Sequence, residues 1–368
     1  MTQPAAVSRL DDWDALTDRH RPVLDDGAQA SFFRSLPWFR VLSATSLDPG
    51  DMLQLYVAGD PPALILPLRR PAGRNPLRPR RLTSLANFYS CDYAPLARAG
   101  APIDHGIGAI AASLRAERPR IDLVELTSLP SAALDAVAHG FAEAGWWVQR
   151  YFHFGNWFEP TAGLDAAAYL ARRPAALRNT IKRKAAALRK ANDARFDLVL
   201  DGHDRPALDR AIEAYEQVYR ASWKLGEPYP HFAAAFMRAC AAAGCLRLGL
   251  VHIADRPAAA QIWIVWNGRA TLCKLAHDER FKPRSVGSVL TWRMIEHVLS
   301  VDQVTEIDFG RGDDDYKRLW MSQRREHWGL LACNPSTPRG LLAAARHLGG
   351  RPLARALRRL RDGVTARH

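Results

Sequence analysis

Two stretches in the second half of the chain carry the residue types that chemistry on a charged or activated substrate requires. The first is Asp308-Phe-Gly-Arg-Gly-Asp-Asp-Asp-Tyr-Lys-Arg-Leu-Trp320, which gathers acids, a phenol and cations beside two glycines. Gly310 and Gly312 predict an open turn at the C-terminal end of a strand, the edge at which α/β proteins usually bind ligands. Asp308, Arg311, Tyr316 and Lys317 can then converge on one mouth. A kinase reading of Asp308-Phe-Gly310 fails, because neither an HRD loop nor a glycine-rich ATP loop accompanies it. The plain alternative makes Asp313 to Asp315 helix caps and Lys317 a solvated residue.

The second stretch, Arg284-Ser-Val-Gly-Ser-Val289, sets a cation, two hydroxyls and a glycine at a strand-to-helix junction. Unpaired amides and the helix dipole favour a phosphate there, and a residue without a side chain lets it approach the backbone. Arg284, Ser285, Gly287 and Ser288 are the candidates to hold it. Ser285 as a simple N-cap and Gly287 as a packing glycine are the competing readings. His231, His277 and His327 are scattered without metal-ligand spacing, so no metal site is expected. Neither Ser222 nor Ser285 lies in a nucleophile elbow, and Trp223 is either a core anchor or a substrate platform.

The elements that must position these residues repeat along the chain. A helix from Gly106 with apolar Ile107, Ile110, Ala111 and Leu114 leads into a strand at Ile121 to Leu126. About 181 residues later, a helix with Val289, Leu290, Met294, Ile295 and Val298 leads into a strand at Val304 to Phe309. Cys91-Asp-Tyr-Ala94 and Cys273-Lys-Leu-Ala276 extend the match upstream. Each half also holds a two-strand signature around a turn with Asp and Pro: Leu53 to Val57 with Ala63 to Leu68, and Leu246 to Ile253 with Ala258 to Trp266. Each half is therefore expected to be an α/β unit with a mixed sheet.

The order Ala221-Ser-Trp223-Lys224, Cys245 to Leu250, Ala258-Ala-Ala-Gln261, Phe281 to Leu290, then Asp308-Phe-Gly-Arg-Gly312 with Tyr316-Lys317, resembles the CelD-like, FemAB-related branch of the GNAT acyltransferases. The resemblance is clearest from about Tyr151 to Leu331. The first half matches more loosely through Ser31 to Trp38 and Asn87-Phe-Tyr89. It implies an α/β (α+β) fold of tandem GNAT-like domains, each a mixed central sheet flanked by helices, with a basic C-terminal helical tail. The expected boundaries are 1–155, a degenerate domain, 156–335, the acyltransferase domain, and 336–368, the tail.

The resemblance further implies acyl-CoA, acetyl-CoA above all, as co-substrate. Arg284 and Gly287 fit the pyrophosphate signature, whereas Val289 departs from its small last residue. In this reading Tyr316 is a general acid for the leaving sulfur, Asp308 orients the acceptor or takes its proton, and Lys317 or Arg311 neutralises phosphate or oxyanion charge. Trp223, Lys274 and Arg311 are the acceptor-binding candidates, and the acceptor is an amine or hydroxyl of a polar molecule of the cell envelope or an exopolysaccharide. Relatives in the FemAB branch use aminoacyl-tRNA, so a peptide-bond-forming transferase is the alternative, and a non-catalytic binding protein is the third reading.

Composition agrees with a globular protein: 368 residues, 48% hydrophobic and 24% charged, with no apolar run long enough to span a membrane. The start lacks a signal peptide, so a cytoplasmic location is expected. The five cysteines form no CxxC pair, and their odd number argues against a disulfide framework. The net charge of +13 is concentrated in two segments. Residues 172–190 carry eight Lys or Arg and no acid, and residues 336–368 carry eight Arg against Asp362. The rest is near neutral, unlike a generally basic DNA binder. Leu177, Ile181, Ala185 and Leu188 predict an amphipathic helix from Pro174 to about Ala191, docked on the second domain or facing RNA. Residues 339–364 pair leucines with arginines, as in helices that lie on anionic membranes, with packing on the body as the alternative.

Overall fold

The computed structural model describes residues 6–73, 78–200 and 202–347. They form two compact units, one built from the described parts of 1–36, 47–153 and 326–368, the other from 37–46 and 154–325.

In the first unit, strands β1 (Val7–Leu10), β2 (Met52–Ala58), β3 (Leu64–Arg70), β4 (Arg81–Ser84) and β6 (Leu123–Pro130) pair in that order. The short β5 (Leu96–Ala97) pairs with β3. The β2–β3 hairpin forms where two alternating apolar runs flank Gly59-Asp-Pro-Pro62, as its sequence predicts. Helix α3 (Ile103–Ala116) carries the chain from β4 to β6, which therefore run parallel, with register Arg81↔Leu123 to Thr83↔Glu125. Ile107, Ile110 and Leu114 of α3 are fully buried, as are Ile65 and Leu66 of β3 and Val124 of β6. Helices α1 (Arg21–Ala30) and α4 (Ser131–Glu143) complete the unit, and β13 (Gln323–Cys333) adds antiparallel to β6.

The second unit repeats this grammar. Strands β8 (Ala194–Val199), β9 (Leu246–Ile253), β10 (Arg256–Trp266), β11 (Arg269–His277) and β12 (Glu306–Arg311) pair in that order, and residues 156–160 of β7 (Trp147–Pro160) add antiparallel to β12. Helix α9 (Val286–Ser300) bridges the parallel β11 and β12 as α3 bridges β4 and β6. The expected duplication is thus present in hairpin, strand, helix and strand. One piece of it is not: Cys273 to Ala276 lies on β11, whereas Cys91 to Ala94 lies in irregular chain. The two units interleave along the chain, because the first takes back residues 326 onward, with most of β13, and the second takes residues 37–46 from upstream.

Helix α2 (Leu36–Thr45) belongs from Pro37 on to the second unit, where Trp38 meets Phe232 and Phe236 edge-on at 5.9 and 5.6 Å. Those phenylalanines lie on α8 (Phe232–Ala242), which follows α7 (Arg205–Arg220). The basic segment forms α6 (Ala175–Ala191) after the short α5 (Ala166–Ala171). Leu177, Ile181 and Leu188 sink into one cluster with Val286, Val289 and Leu290 of α9, at roughly 1.5–3 kcal/mol per buried side chain. Arg178, Lys182, Arg183, Arg189 and Lys190 stay exposed. The four-residue α10 (Lys317–Trp320) follows the glycine turn. Helix α11 (Pro338–His347) packs Ala343 and Ala344 on Leu123, Leu331 and Cys333, so the first piece of the expected tail is part of the first unit's core. The rest of the expected tail, residues 348–368, lies outside the described residues.

Candidate active site

The parallel register of β11 and β12 runs for three residue pairs, from Arg269↔Glu306 to Thr271↔Asp308, and stops. Strand β11 continues to His277 along β10, while β12 bulges on β7 between Asp308 and Arg311. Gly310 allows the bulge by taking φ 61°. The amide of Asn156 fills it, donating to Asp308 Oδ1 at 2.6 Å and to the Gly310 carbonyl at 2.8 Å. Gly310 N donates to Asp308 Oδ1 at 2.6 Å, and the Arg325 guanidinium pairs with Asp308 Oδ2. Arg325 also donates to Glu306 at 2.9 and 3.2 Å and lies 4.3 Å over the Phe158 ring. Asp308 is therefore buried and engaged through both oxygens. It shapes the strand exit and does not open onto a substrate, and its cationic partner is Arg325 in place of Lys317.

Lys317 corrects a second expectation. It is 3% exposed, and its Nζ donates to the carbonyls of Arg311 at 2.6 Å, Gly312 at 3.3 Å and Gly310 at 3.5 Å. A buried ammonium needs such partners, and here it ties the glycine turn shut. Arg311 stacks on the Phe154 ring at 4.7 Å. Asp313 accepts from Arg324 at 2.6 and 2.8 Å and from Trp157 Nε1 at 3.0 Å. Tyr316 is 38% exposed, and the desolvation it does undergo, followed by the Asp314 charge, raises its phenol above the ordinary value. Downstream, Arg173 and Tyr169 hold the Trp320 carbonyl at 2.5 and 2.6 Å, while Glu159 binds Arg173 and the Ser322 amide.

At the other stretch, Ser285 sits before α9 with φ 54°, and its side chain makes no capping bond. A Cβ on Gly287 would meet only His277, at 3.5 Å, an ordinary contact, so packing does not require glycine there. The first turn of α9 holds no acid. Buried Gln261 fixes the turn from below, donating to the Gly287 carbonyl at 3.2 Å and to Thr291 Oγ1 at 2.7 Å, and accepting from Trp263 at 2.8 Å. Ser288 is half-buried on the same turn. Arg284 already has a partner: it grips Asp193 bidentately at 2.6 and 2.7 Å, which raises its own pKa and lowers that of Asp193.

Trp223 is 51% exposed and therefore no core anchor; its ring lies 4.5 Å from that of His277. Lys274 is buried in an ion pair with Glu227, and desolvation lowers its pKa despite that partner. Sequence reasoning assigned no role to Asn156, Asp193, Lys224, Glu227, Gln261 or Arg325. One of them carried a signal, because Gln261 is a polar position on a strand that otherwise buries apolar residues. Among the described residues no group of three or more His, Cys, Asp or Glu is placed to hold a metal, and no helix is long and apolar enough to cross a membrane.

Residues 175–318 match the family described as "Acetyltransferase (GNAT) domain". No curated protein matches the chain. Solved structures do. FemX aligns with TM-score 0.58 at 8% identity, over 88% of this chain and 96% of its own. A tandem GNAT protein from the clavulanic acid biosynthesis pathway aligns with TM-score 0.53 at 15% identity, over 90% and 100%. The C-terminal domain of a putative lysylphosphatidylglycerol synthetase from Agrobacterium fabrum aligns with TM-score 0.53 at 12% identity, over 90% and 97%. At such identities the likeness is one of fold.

Proposed function

Because residues 175–318 match the GNAT acetyltransferase domain and the fold is that of FemX and a tandem GNAT protein, we propose that the chain is a GNAT-type enzyme that transfers an acyl group from acyl-CoA to an amine or hydroxyl of a polar acceptor. The observation that carries this reading is the place where β11 and β12 cease to pair, with the uncapped first turn of α9 at the same C-terminal edge. Beyond Thr271 the edge of β11 offers main-chain groups to an extended ligand. The free amides around Gly287 and Ser288, with Ser285 and Arg284 beside them, offer a phosphate site.

In this mechanism the donor lies along β11 with its phosphates on α9 and its carbonyl toward the exit of β12. The acceptor's lone pair attacks the carbonyl carbon, the carbon–sulfur bond breaks, the departing sulfur takes a proton, and the acceptor's nitrogen or oxygen releases one to solvent. Tyr316 is suited to supply that proton, since a phenol is protonated at neutral pH and its exposure leaves it reachable. Asp308 and Lys317 serve by positioning, fixing the bulge and the glycine turn from which Tyr316 departs. Arg311 faces the same exit from the end of β12.

Calorimetry of the purified chain with acetyl-CoA, CoA and bulk tRNA tests the reading. Micromolar CoA binding, weakened at least tenfold by Gly287→Asp, is the expected result. Binding of tRNA without CoA would replace it by aminoacyl transfer, for which the exposed cations of α6 are the supporting feature. Binding of neither would favour a non-catalytic protein.

A further inference from the structure

One polar cluster plays no part in the transfer mechanism. Helix α7 carries Tyr219 in its last turn, and the segment that follows carries Trp223, Lys224 and Glu227 beside Lys274 of β11. The Nζ atoms of Lys224 and Lys274 lie 5.8 and 5.5 Å from the centroid of the same ring, that of Tyr219. Lys224 also lies 5.7 Å from the Trp223 ring. Lys274 is committed to Glu227. Lys224 forms no ion pair among the described residues, and aromatic faces are its nearest company.

The charges do not balance. Two ammoniums stand against the one carboxylate of Glu227, while Asp314 and Lys317 act on Lys224 in opposite directions. His277, against Trp223, is held neutral-leaning by desolvation. The cost falls on Lys224, whose pKa drops to about 8 through burial and the repulsion of Lys274. A cation left short of a partner in a partly dry site is stabilised by an incoming anion, and the exposed indole of Trp223 offers a flat surface next to it.

We propose that Lys224 and Lys274 bind an anionic group, carboxylate or phosphate, carried by the acceptor, with Trp223 supporting the part of the acceptor next to that group. That the anion belongs to the acceptor rests on the acyl-transfer reading; the anion site itself does not. Acceptors of this class are acidic sugars, amino acids or phosphorylated alcohols, and a purely cationic or apolar amine is excluded.

The test follows the Lys224 side-chain amine by NMR in the full chain, assigned with Lys224→Met, in the presence of inorganic phosphate or acetate. A titration midpoint near 8 without anion, moved up by about one pH unit or more at saturation, is expected. Response to phosphate alone points to a phosphorylated acceptor, and response to acetate alone or to both points to a carboxylate. Lys224→Met should weaken anion binding at least tenfold, and Lys224→Arg should keep it within threefold. A midpoint that neither anion moves, or phosphate binding lost in Arg284→Ala but kept in Lys224→Met, overturns the proposal. CoA titrated into the same samples is the separating control: failure there removes the donor and leaves the anion result standing.

Discussion

Helices α3 and α9 do the same architectural work and end up chemically opposite. Each carries the chain between two parallel strands, and each has a glycine in its first turns, Gly106 and Gly287. In α3 the missing side chain is filled by Leu64, which a Cβ would meet at 3.0 Å, and Asp104 supplies an acid that accepts from the His105 amide. In α9 nothing fills the space closely and no acid stands in the first turn, while neither helix has a side-chain cap. The strand exits differ in the same way. Ser128 in β6 and Gly310 in β12 both bulge at positive φ, 62° and 61°. Ser128 is satisfied by neutral neighbours, His153 and Tyr93, whereas the bulge at Gly310 is held by Asp308, Arg325 and Lys317. Shared topology gives both units a frame, and among the described residues the two ends differ in their chemistry, which is why the proposed donor site is assigned to the second.

The sharpest way to break that comparison is to exchange the consequences of mutation between the two exits. Tyr316→Phe should lower turnover by about 10²–10⁴-fold, the usual worth of a proton donor, while stability changes by less than about 1 kcal/mol. Ser128→Ala at the corresponding exit of the first unit should leave turnover per folded molecule unchanged. Steady-state kinetics beside thermal melts would read both. Equal losses in the two variants would mean that the exits are functionally alike.

Next in size is the buried charge. Arg325→Met would leave buried Asp308 without its guanidinium, while Glu306 keeps that of Arg269, and breaking a buried pair costs about 3–5 kcal/mol. Denaturant melts should show it. A loss below about 1 kcal/mol would mean that the network adds little beyond what Asn156 and the Gly310 amide already supply.

What the sequence disclosed and what it hid follow from how far each interaction reaches along the chain. Hairpins, the two bridging helices and the apolar face of α6 were legible, because periodicity and turn residues are local. Asn156 and Arg325 were not, since they meet Asp308 from 152 and 17 residues away. The partners of Lys317 and Arg284 were hidden for a related reason. A lysine beside three aspartates looks solvated, and only the folded turn shows three carbonyls around its amine. Arg284 looked available because its partner Asp193 lies 91 residues upstream. The interleaving of the units was hidden too, because nothing in α2 or β13 announces which unit it will join.

A smaller effect comes from the two glycines. Gly106→Ala should strain the contact with Leu64 and cost about 1–3 kcal/mol, leaving CoA affinity as it was. Gly287→Ala has room, so stability should hold or rise by up to about 1 kcal/mol through helix propensity, while CoA binding weakens as the methyl group keeps phosphate from the backbone. Crossed outcomes, with Gly106 affecting CoA and Gly287 affecting only stability, would reverse the assignment of the donor site.

The smallest expected effect concerns Asp193, which competes with any phosphate for Arg284. Asp193→Asn removes the charge and should tighten CoA binding a few-fold, because the guanidinium is then free to turn to the ligand. The pH dependence has a definite sign. Arg284 lowers the Asp193 pKa, so the ion pair persists at neutral pH and is lost only as pH falls through that lowered value, below the ordinary carboxylate range. The stability it lends is present above that range and disappears on the acid side. Affinities of wild type and Asp193→Asn should therefore differ at neutral pH and converge in acid, with Arg284→Ala weak throughout. Should Asp193→Asn instead weaken CoA binding at neutral pH, Asp193 would be holding Arg284 in its binding position, and the pair would be a preorganised part of the phosphate site and not its competitor.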